Sequence, residues 1–302
     1  MLLGPFWLYR YVLLNTSLAN VKNPICKRMP KTSRCIFLLI FSMVLGEVLA
    51  QNSIEPILKI SAHRGNSLNA PENTLATFRK VLAMGVELIE IDVRTSSDGA
   101  LVILHDGNLD RTTNGLGPIK NLTLKEIKKL SAGKGYGEEF VKEQIPTLEE
   151  TAKLIYQWNK KHIQKTFIYV DCKEVAPKPL VEMLKKYDLA NESCFYGADA
   201  FLENLKMEFP AAKLMPSLKN KAEIEAKIAR LKPYAFDANW LAISPELVQE
   251  IHTRGIKIFT DVLGPFDQQA NYQKALSLGL DLIQTDKPRL VQKTLLQAIS
   301  VN

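Results

Sequence analysis

Two of the four histidines in the chain directly follow short apolar segments. His63 comes after the segment 57–62 and is followed by Arg64, and His105 comes after the segment 101–104. An imidazole can accept and release a proton near neutral pH, which is the proton transfer that cleavage of a phosphoester needs. A guanidinium group can bind phosphate oxygens through two parallel hydrogen bonds. We therefore predict general acid/base chemistry by His63 and His105, with Arg64 binding the anionic part of a substrate.

Three acidic residues on two apolar segments offer a site for a divalent cation. Glu90 and Asp92 are two residues apart in the segment 86–93, so a strand places both carboxylates on the same face. Asp171 ends the segment 166–171. Converging carboxylates repel each other unless a proton or a cation lies between them, and oxygen ligands favour Mg²⁺ or Ca²⁺ over zinc. We predict one divalent cation, Ca²⁺ or Mg²⁺, bound by these three residues.

Other charged residues receive less direct interpretations. Lys173 is expected to donate to a second phosphate oxygen as a point charge. For Glu90, the alternative to a metal site is a structural ion pair with a lysine or an arginine, for example Arg94. Asp286 precedes a Lys-Pro pair and is expected to cap the last helix. The remaining candidates are predicted to be structural or surface residues: Asp237, Asp261, His162 and His252.

Short β-like segments alternate with helical patterns through most of the chain. The strand segments are 57–62, 86–93 with a companion at 101–104, 166–171, 194–197, 213–216, 234–237, 256–260 and 281–284. The helical patterns lie near 74–84, 148–161, 178–187, 199–208, 221–230, 245–254, 267–278 and 287–298. This alternation predicts an α/β fold, a TIM (β/α)₈ barrel, with an open doubly wound sheet as the alternative. No glycine-rich phosphate loop follows a strand, which argues against a nucleotide-binding fold.

The segment 105–146 interrupts the alternation after the second strand and its companion. It is polar, contains several glycines and carries one short helix that Thr123 and Glu126 are expected to cap. A long excursion from a compact domain usually has a functional role. Because it leaves from a strand end, where barrel enzymes build their active sites, we predict that it forms a lid or a wall of the site.

The composition fits a folded domain without a nucleic-acid partner. Of the 302 residues, 46% are hydrophobic and 24% are charged, which excludes a disordered or fibrous chain. The formal net charge is +7, but six of the 39 basic residues and one of the 32 acidic residues lie within residues 1–50. The remainder has 33 basic against 31 acidic residues and no basic tail. We therefore expect no nucleic-acid partner, and the oligomeric state stays open.

Residues 1–50 are predicted to be a leader that includes a signal peptide over 29–50. After Met29, basic residues precede an apolar run over 35–45 that is too short to span a bilayer, and a cleavage pattern ends at Ala50. We expect export to the periplasm or the cell exterior, without stable membrane insertion after processing. A buried N-terminal helix or an uncleaved anchor is the alternative, and Met1 and Met29 both stay open as the start. Only Cys172 and Cys194 then remain, and we expect two buried free thiols.

Seven short motifs occur in an order that is typical of one enzyme family. They are His63-Arg64-Gly65, Pro71-Glu72-Asn73-Thr74, Glu90-Ile91-Asp92-Val93, Asp98-Gly99, His105-Asp106, Arg111-Thr112-Thr113 and Ile145-Pro146-Thr147-Leu148. The ordered set resembles the glycerophosphodiester phosphodiesterases, densely across residues 58–175 and more loosely to the end of the chain, where Gln284-Thr285-Asp286-Lys287-Pro288 resembles the family's last strand.

This resemblance implies a TIM-barrel domain over residues 51–302, with the family's small insertion at 105–146. It implies metal-dependent hydrolysis of glycerophosphodiesters to sn-glycerol 3-phosphate and an alcohol. By the same resemblance, His63 and His105 are the acid/base pair, Arg64 binds phosphate, and Glu90 and Asp92 are the first two metal ligands.

The sequence departs from the family pattern at two positions. The third ligand is usually Glu, followed two residues later by Lys, whereas this chain has Asp171 before Lys173. The shorter side chain favours a contact to the cation through water. The segment 259–262 stands where many members have a Trp-containing stretch, which leaves the pocket for the alcohol undefined.

Two other functions compete with this interpretation. The first is a lysophospholipase D-type enzyme acting on lipid diesters, which needs an apolar entrance. The insertion offers few residues for one: Leu116, Tyr136 and Phe140. The second is an inactive barrel that only captures glycerol phosphates, which requires a missing catalytic group.

Overall fold

The computed structural model describes residues 58–65 and 70–300. The predicted leader, with its signal peptide over 29–50, lies outside these residues. Among the described helices, none has both the length and the apolarity needed to span a bilayer.

The described strands form a parallel barrel with one antiparallel addition. They are β1 (Lys59–Ala62), β2 (Leu88–Thr95), β3 (Leu101–Ile103), β4 (Phe167–Glu174), β5 (Cys194–Tyr196), β6 (Lys213–Met215), β7 (Ser217–Leu218), β8 (Ala235–Ala238), β9 (Lys257–Asp261) and β10 (Leu282–Thr285). The parallel order is β6-β5-β4-β2-β1-β10-β9-β8-β7, and β3 pairs antiparallel with β2. Because Pro216 has no N–H to donate, it divides one strand position into β6 and β7. The parallel strands therefore occupy eight positions, and the predicted TIM barrel is confirmed.

Helices connect consecutive strands and cover the outside of the barrel. They are α1 (Leu75–Leu82), α2 (Leu124–Ile127), α3 (Leu148–Lys161), α4 (Pro177–Lys186), α5 (Asp199–Glu208), α6 (Ile224–Leu231), α7 (Pro245–His252), α8 (Gln269–Leu278) and α9 (Pro288–Ser300). The predicted cap of α2 is confirmed, because Thr123 forms a capping box with Glu126. Thr147 forms a second capping box with Glu150 at the start of α3, and Ser244 caps α7.

Strand periodicity divides the inside of the barrel into an apolar layer and a polar layer. The apolar layer has one residue from nearly every strand position: Leu88, Tyr169, Cys194, Met215, Ala235, Phe259 and Leu282. Two residues further along each strand, on the same face, stand Glu90, Asp171, Tyr196, Ser217, Asp237, Asp261 and Gln284. The fold therefore collects polar side chains at the carboxyl end of the barrel, above a packed floor.

The predicted insertion, 105–146, leaves the barrel after β3 and has a small core of its own. Residues from β3 and from the insertion form this core: Val102, Leu104, Leu109, Ile119, Ile127, Ala132 and Ile145. It is separate from the main core between the strands and the outer helices. Elsewhere in the barrel, Cys172 and Cys194 are buried free thiols, as expected from the sequence.

Candidate active site

Glu90, Asp92 and Asp171 meet at the carboxyl end of the barrel. The parallel register of β2 and β4 places Asp171 directly beside Asp92. One carboxylate oxygen from each of the three residues lies within 4.8 Å of the others, and Glu90 and Asp92 are buried. The acids selected by strand periodicity therefore form one cluster, even though Asp171 is shorter than the usual Glu.

The electrostatics of this cluster fit a bound cation. Burial raises the pKa of Glu90 well above its ordinary value, and the charges of Asp92 and Asp171 raise it further. Burial also raises the pKa of Asp171. Oδ1 of Asp92 is buried and accepts no hydrogen bond from the described residues. A divalent cation would neutralise these crowded carboxylates and could bind this oxygen.

Lys173 lies at the edge of the acid cluster. Its Nζ is 2.6 Å from Oδ2 of Asp171 and 3.4 Å from Oδ1 of Asp92. The side chain that we expected to bind phosphate is therefore paired with two of the predicted metal ligands. Its ammonium group therefore places a positive charge next to the acids at the carboxyl end of the barrel.

A tight turn directly after β1 contains His63 and Arg64. Arg64 has a left-handed backbone with φ of 48°. Its N–H donates to Oε2 of Glu90 at 2.7 Å, and its carbonyl accepts from the N–H of Asn73 at 2.9 Å. The side-chain Nε of Arg64 is 3.7 Å from Oδ2 of Asp92, and this buried nitrogen has no hydrogen-bond partner among the residues that the structure describes. The turn thus holds a donor for an anion beside the acids.

His63 is oriented by Asp286, which corrects the prediction that Asp286 caps the last helix. Nδ1 of His63 lies 2.9 Å from Oδ1 of Asp286, a residue that follows β10. The N–H of Asp286 donates to Oδ2 of Asp267 at 2.9 Å, which fixes the backbone at this point. The carboxylate of Asp286 therefore binds His63 instead of the start of the last helix, because β1 and β10 are neighbours in the barrel.

His105 has a carboxylate partner of its own. Its Nδ1 lies 2.7 Å from Oδ1 of the adjacent Asp106. Nη2 of Arg94 donates to the carbonyl of His105 at 2.6 Å, and Nε of Arg94 donates to the carbonyls of Leu104 and His105. Arg94 therefore fixes the backbone of His105, and its ion pair is with Glu174 at 3.5 Å, so it is not the partner suggested for Glu90.

A charge network joins the surroundings of the two histidines. Glu72 accepts from Arg64 at 3.1 Å and from Arg111 at 2.8 Å, and Arg111 also donates to Asp106 at 2.7 Å. Hydrogen bonds from Arg111 hold the pKa of Asp106 well below its usual range. Arg64 and Asp106, each next to a histidine, are thus tied together through two further residues.

The sequence motifs contained several site residues whose roles could not be read from position alone. They are Glu72, Asn73, Asp106, Arg111 and Asp286. Nδ2 of Asn73 donates to Oδ2 of Asp92 at 2.8 Å. Glu72, Asp106 and Asp286 contact Arg64 or a histidine, and Arg111 binds Glu72 and Asp106. Each belongs to a motif that carried the family resemblance, so the motifs were the signal available.

Part of the insertion lies beside this site. Partial burial raises the pKa of the Tyr136 hydroxyl, and the charges of Glu72, Arg111 and Asp286 act on it as well. Arg111 of the same insertion donates to Glu72 and to Asp106, so the insertion contributes residues to the surroundings of the site. His162 and His252, which we placed on the surface, are exposed and lie outside this cluster.

A sequence profile of the glycerophosphoryl diester phosphodiesterase family matches residues 63–290. The chain belongs to this family. A glycerophosphodiester phosphodiesterase from Caldanaerobacter subterraneus is 33% identical over 241 residues, which cover 76% of this chain and 94% of that protein. Another from Bacillus subtilis is 27% identical over 252 residues, which cover 77% of this chain and 84% of that protein.

Solved structures agree with the family and the fold. A phosphodiesterase from Oleispira antarctica, in complex with the product sn-glycerol-3-phosphate, has a TM-score of 0.69 and 29% identity over 78% of this chain and 96% of that one. A glycerophosphodiester phosphodiesterase from Agrobacterium tumefaciens has a TM-score of 0.68 and 25% identity over 78% of this chain and 98% of that one. The predicted enzyme class, glycerophosphodiester phosphodiesterase, is confirmed.

Proposed function

We propose that the chain hydrolyses glycerophosphodiesters to sn-glycerol 3-phosphate and an alcohol, with one divalent cation bound by Glu90, Asp92 and Asp171. The observation that carries this proposal is that three acids and two carboxylate-oriented histidines meet at one end of the barrel. Family membership supports it, and so does the product named in the Oleispira antarctica complex. The completeness of the arrangement favours an enzyme over a barrel that only binds glycerol phosphates.

Arg64 and Lys173 would bind the phosphate group. Within the described part of the chain, Nε of Arg64 is buried without a hydrogen-bond partner, so it can donate to a phosphate oxygen. Lys173 adds a point charge at the edge of the acid cluster. Ca²⁺ and Mg²⁺ both suit a site made of oxygen ligands. When bound, either ion would supply positive charge to a phosphate oxygen and a ligand position for a glycerol hydroxyl.

His63 and His105 would transfer the protons. In each residue Nδ1 faces a carboxylate, which leaves Nε2 to face the substrate. One histidine removes the proton of the nucleophile as its oxygen bonds to phosphorus. The other protonates the alcohol oxygen as its bond to phosphorus breaks. The nucleophile is water or the neighbouring glycerol hydroxyl, and ³¹P NMR detection of a cyclic phosphate during turnover separates the two routes.

The test is a glycerol 3-phosphate release assay on several glycerophosphodiesters, run after chelation and again with Ca²⁺ or Mg²⁺ restored. We expect chelation to abolish release and one of the ions to restore it. Activity that survives exhaustive chelation contradicts the cation, and no release under any condition contradicts the function. Faster hydrolysis of lysophosphatidylcholine than of glycerophosphocholine would instead support the lysophospholipase D-type alternative.

We also propose that the protein is exported. The support is the sequence pattern of residues 29–50, in which basic residues precede a short apolar run and a cleavage pattern that ends at Ala50. N-terminal sequencing of protein recovered outside the cytoplasm is expected to begin at Gln51. A start upstream of Gln51 contradicts the proposed cleavage site.

A further inference from the structure

A cavity of about 410 Å³ opens at the carboxyl end of the barrel, on the side formed by the strands β5 and β7–β9. Its wall includes the acids Asp237 and Asp261 and the aromatic residues Tyr196, Trp240 and Phe266. The predicted metal ligands lie on β2 and β4, and none of them lines this cavity. The cavity is therefore a second compartment of the barrel mouth.

The two carboxylates of this cavity have no cationic partner among the described residues. Asp237 accepts a hydrogen bond from Oη of Tyr169 at 3.0 Å, and no ion pair is formed by either acid. Lys219, the cation in the wall, is exposed and pairs with neither of them. Asp237 is half-buried, and a carboxylate that is removed from water without a cationic partner is costly, because its charge is neither hydrated nor compensated. Asp261 is exposed in the wall of the same cavity. A cationic ligand would remove that cost.

The cavity is electrostatically connected to the catalytic residues. Removal from water by the cavity wall raises the pKa of Asp261 to about 6, while the charges of His63, Lys173 and Arg64 act in the opposite direction. Removal from water also raises the pKa of Asp237, and Asp261 and Asp171 contribute. Tyr196, which lines the cavity, is the strand neighbour of Asp171, so the cavity adjoins the acid cluster and one substrate can reach both.

We propose that this cavity binds the alcohol moiety of the substrate and selects a cationic amino alcohol, such as choline or ethanolamine. The inference rests on the proposed function, because it assigns the other half of the same substrate. Carboxylates attract the ammonium group, and aromatic faces attract it through their electron-rich rings. The aromatic wall replaces the Trp-containing stretch that segment 259–262 lacks, since Trp240 reaches the cavity from the loop after β8.

A neutral alcohol such as glycerol or inositol fits this wall less well. It would leave the charges of Asp237 and Asp261 uncompensated, and its hydroxyl groups gain little from aromatic faces. Serine has a carboxylate beside its ammonium group, so it would also bring a like charge close to these acids. The negative charge of the cavity wall therefore favours cationic alcohols over neutral or anionic ones. Replacing an aspartate by asparagine removes the charge but keeps the shape of the wall, so it tests this selectivity.

The experiment compares kcat/KM for glycerophosphocholine and glycerophosphoethanolamine with kcat/KM for glycerophosphoglycerol. We expect the wild-type protein to prefer the cationic substrates and Asp261→Asn to lower that preference about tenfold, the loss typical of a hydrogen bond to a charged group. Asp237→Asn should lower it in the same direction. Glu246→Gln, which removes an exposed carboxylate of α7 outside the cavity, is the matched control and should leave the preference unchanged. Lys219→Gln should raise it.

Two outcomes would overturn the inference. One is a preference that neither Asp237→Asn nor Asp261→Asn changes while all substrates are still hydrolysed, which leaves the proposed function intact. The other is the absence of choline binding by the full chain in calorimetry. If no substrate is hydrolysed but choline binds, and binds more weakly to Asp261→Asn, then the proposed function is wrong and the cavity assignment stands.

Discussion

Nδ1 of His63 and Oδ1 of Asp286 lie 2.9 Å apart, although 223 positions separate the two residues in the chain. The pairing follows from the barrel, because β1 and β10 are neighbours whose register aligns Ala62 with Thr285. His63 and Asp286 are the next polar residues after these strands, so closure of the barrel brings them together. The carboxylate accepts from Nδ1–H and thereby fixes which imidazole nitrogen faces the substrate.

Asp286→Asn is expected to lower kcat about 10- to 100-fold, the usual loss when a residue that orients a reacting histidine is changed. The amide group can donate to Nδ1, which favours the wrong tautomer of His63. The measurement is steady-state hydrolysis of a glycerophosphodiester.

The matched control is Asp281→Asn, which alters a similar pair, His252 with Asp281 at 2.8 Å, on the surface of the barrel. It should leave kcat unchanged. If Asp286→Asn stays within about twofold of the wild-type kcat, His63 needs no orienting carboxylate and the argument from tautomers fails.

His105→Ala is expected to lower kcat about 10²- to 10⁴-fold, as removal of a general acid or base does. His162→Ala is the control, because His162 is exposed and stacks on Trp158 at a ring distance of 3.6 Å, away from the acids. Near-normal turnover by the His105 variant would remove this residue from the proton transfers. Circular dichroism of both variants checks that the fold is kept.

The sequence was sufficient to predict the strands, the helices and the three acids, because these depend on local periodicity. Glu90 and Asp92 share a strand face by spacing alone, and the neighbouring strand supplies Asp171. The partners of the histidines depend on barrel closure. Asp286 before a Lys-Pro pair has the local pattern of a helix cap, and only the pairing of β1 with β10 shows that its carboxylate is used elsewhere.

The cavity with Asp237 and Asp261 was also beyond prediction from the sequence. Each acid follows an apolar residue of its strand by two positions, so its inward direction could be derived. Whether a lysine or an arginine lies beside either acid depends on the loops of several distant segments, including the loop that carries Trp240. The local sequence around each acid therefore could not predict that the described residues leave both acids without a cationic partner.

Glu90→Gln is expected to separate metal binding from folding. Burial and two neighbouring acids raise the pKa of Glu90, so the charged form is unfavourable in the metal-free protein and a neutral amide should not lower its Tm. The wild-type Tm should rise on adding Ca²⁺ or Mg²⁺, by about 5–10 °C for a ligand at 100 times its Kd. The variant should lose this rise. A variant that keeps the full rise contradicts the assignment of Glu90 as a ligand.

Arg111→Gln is expected to lower stability at neutral pH and to have little effect in acid. Hydrogen bonds from Arg111 lower the pKa of Asp106, and they lower the pKa of Glu72 despite its burial. Groups with a lowered pKa in the folded state stabilise it above their unfolded pKa, and this contribution is lost as the pH falls through the folded value. The free energy of unfolding should differ by about 1 kcal/mol at pH 7, and the difference should shrink below roughly pH 4.

Urea titrations at several pH values measure this difference. Arg289→Gln serves as the control, because Arg289 is exposed and forms no ion pair within the part of the chain that the structure describes. A pH-independent difference for Arg111→Gln would show that the arginine stabilises by packing and not by charge.

Gly65→Ala is expected to disrupt the turn that carries His63 and Arg64. Gly65 has φ of +76°, and an added Cβ would lie 2.6 Å from Cγ2 of Thr77 and 2.7 Å from Cδ1 of Phe78. Gly99 is the matched control, since it has φ of +84° but nothing within 4 Å of an added Cβ. Gly99→Ala should therefore lower the free energy of unfolding by about 1 kcal/mol through backbone strain alone.

Gly65→Ala should lower the free energy of unfolding by about 3 kcal/mol, because steric overlap in the packed core adds to the same strain. It should also lower kcat, since relief of the overlap with α1 must shift the turn that places Arg64 against Glu90. If urea titrations show the same loss in free energy of unfolding for both variants, the side chains beside Gly65 can move to accept the added Cβ without shifting the turn. In that case the position of His63 does not depend on this close contact, and kcat should be unchanged.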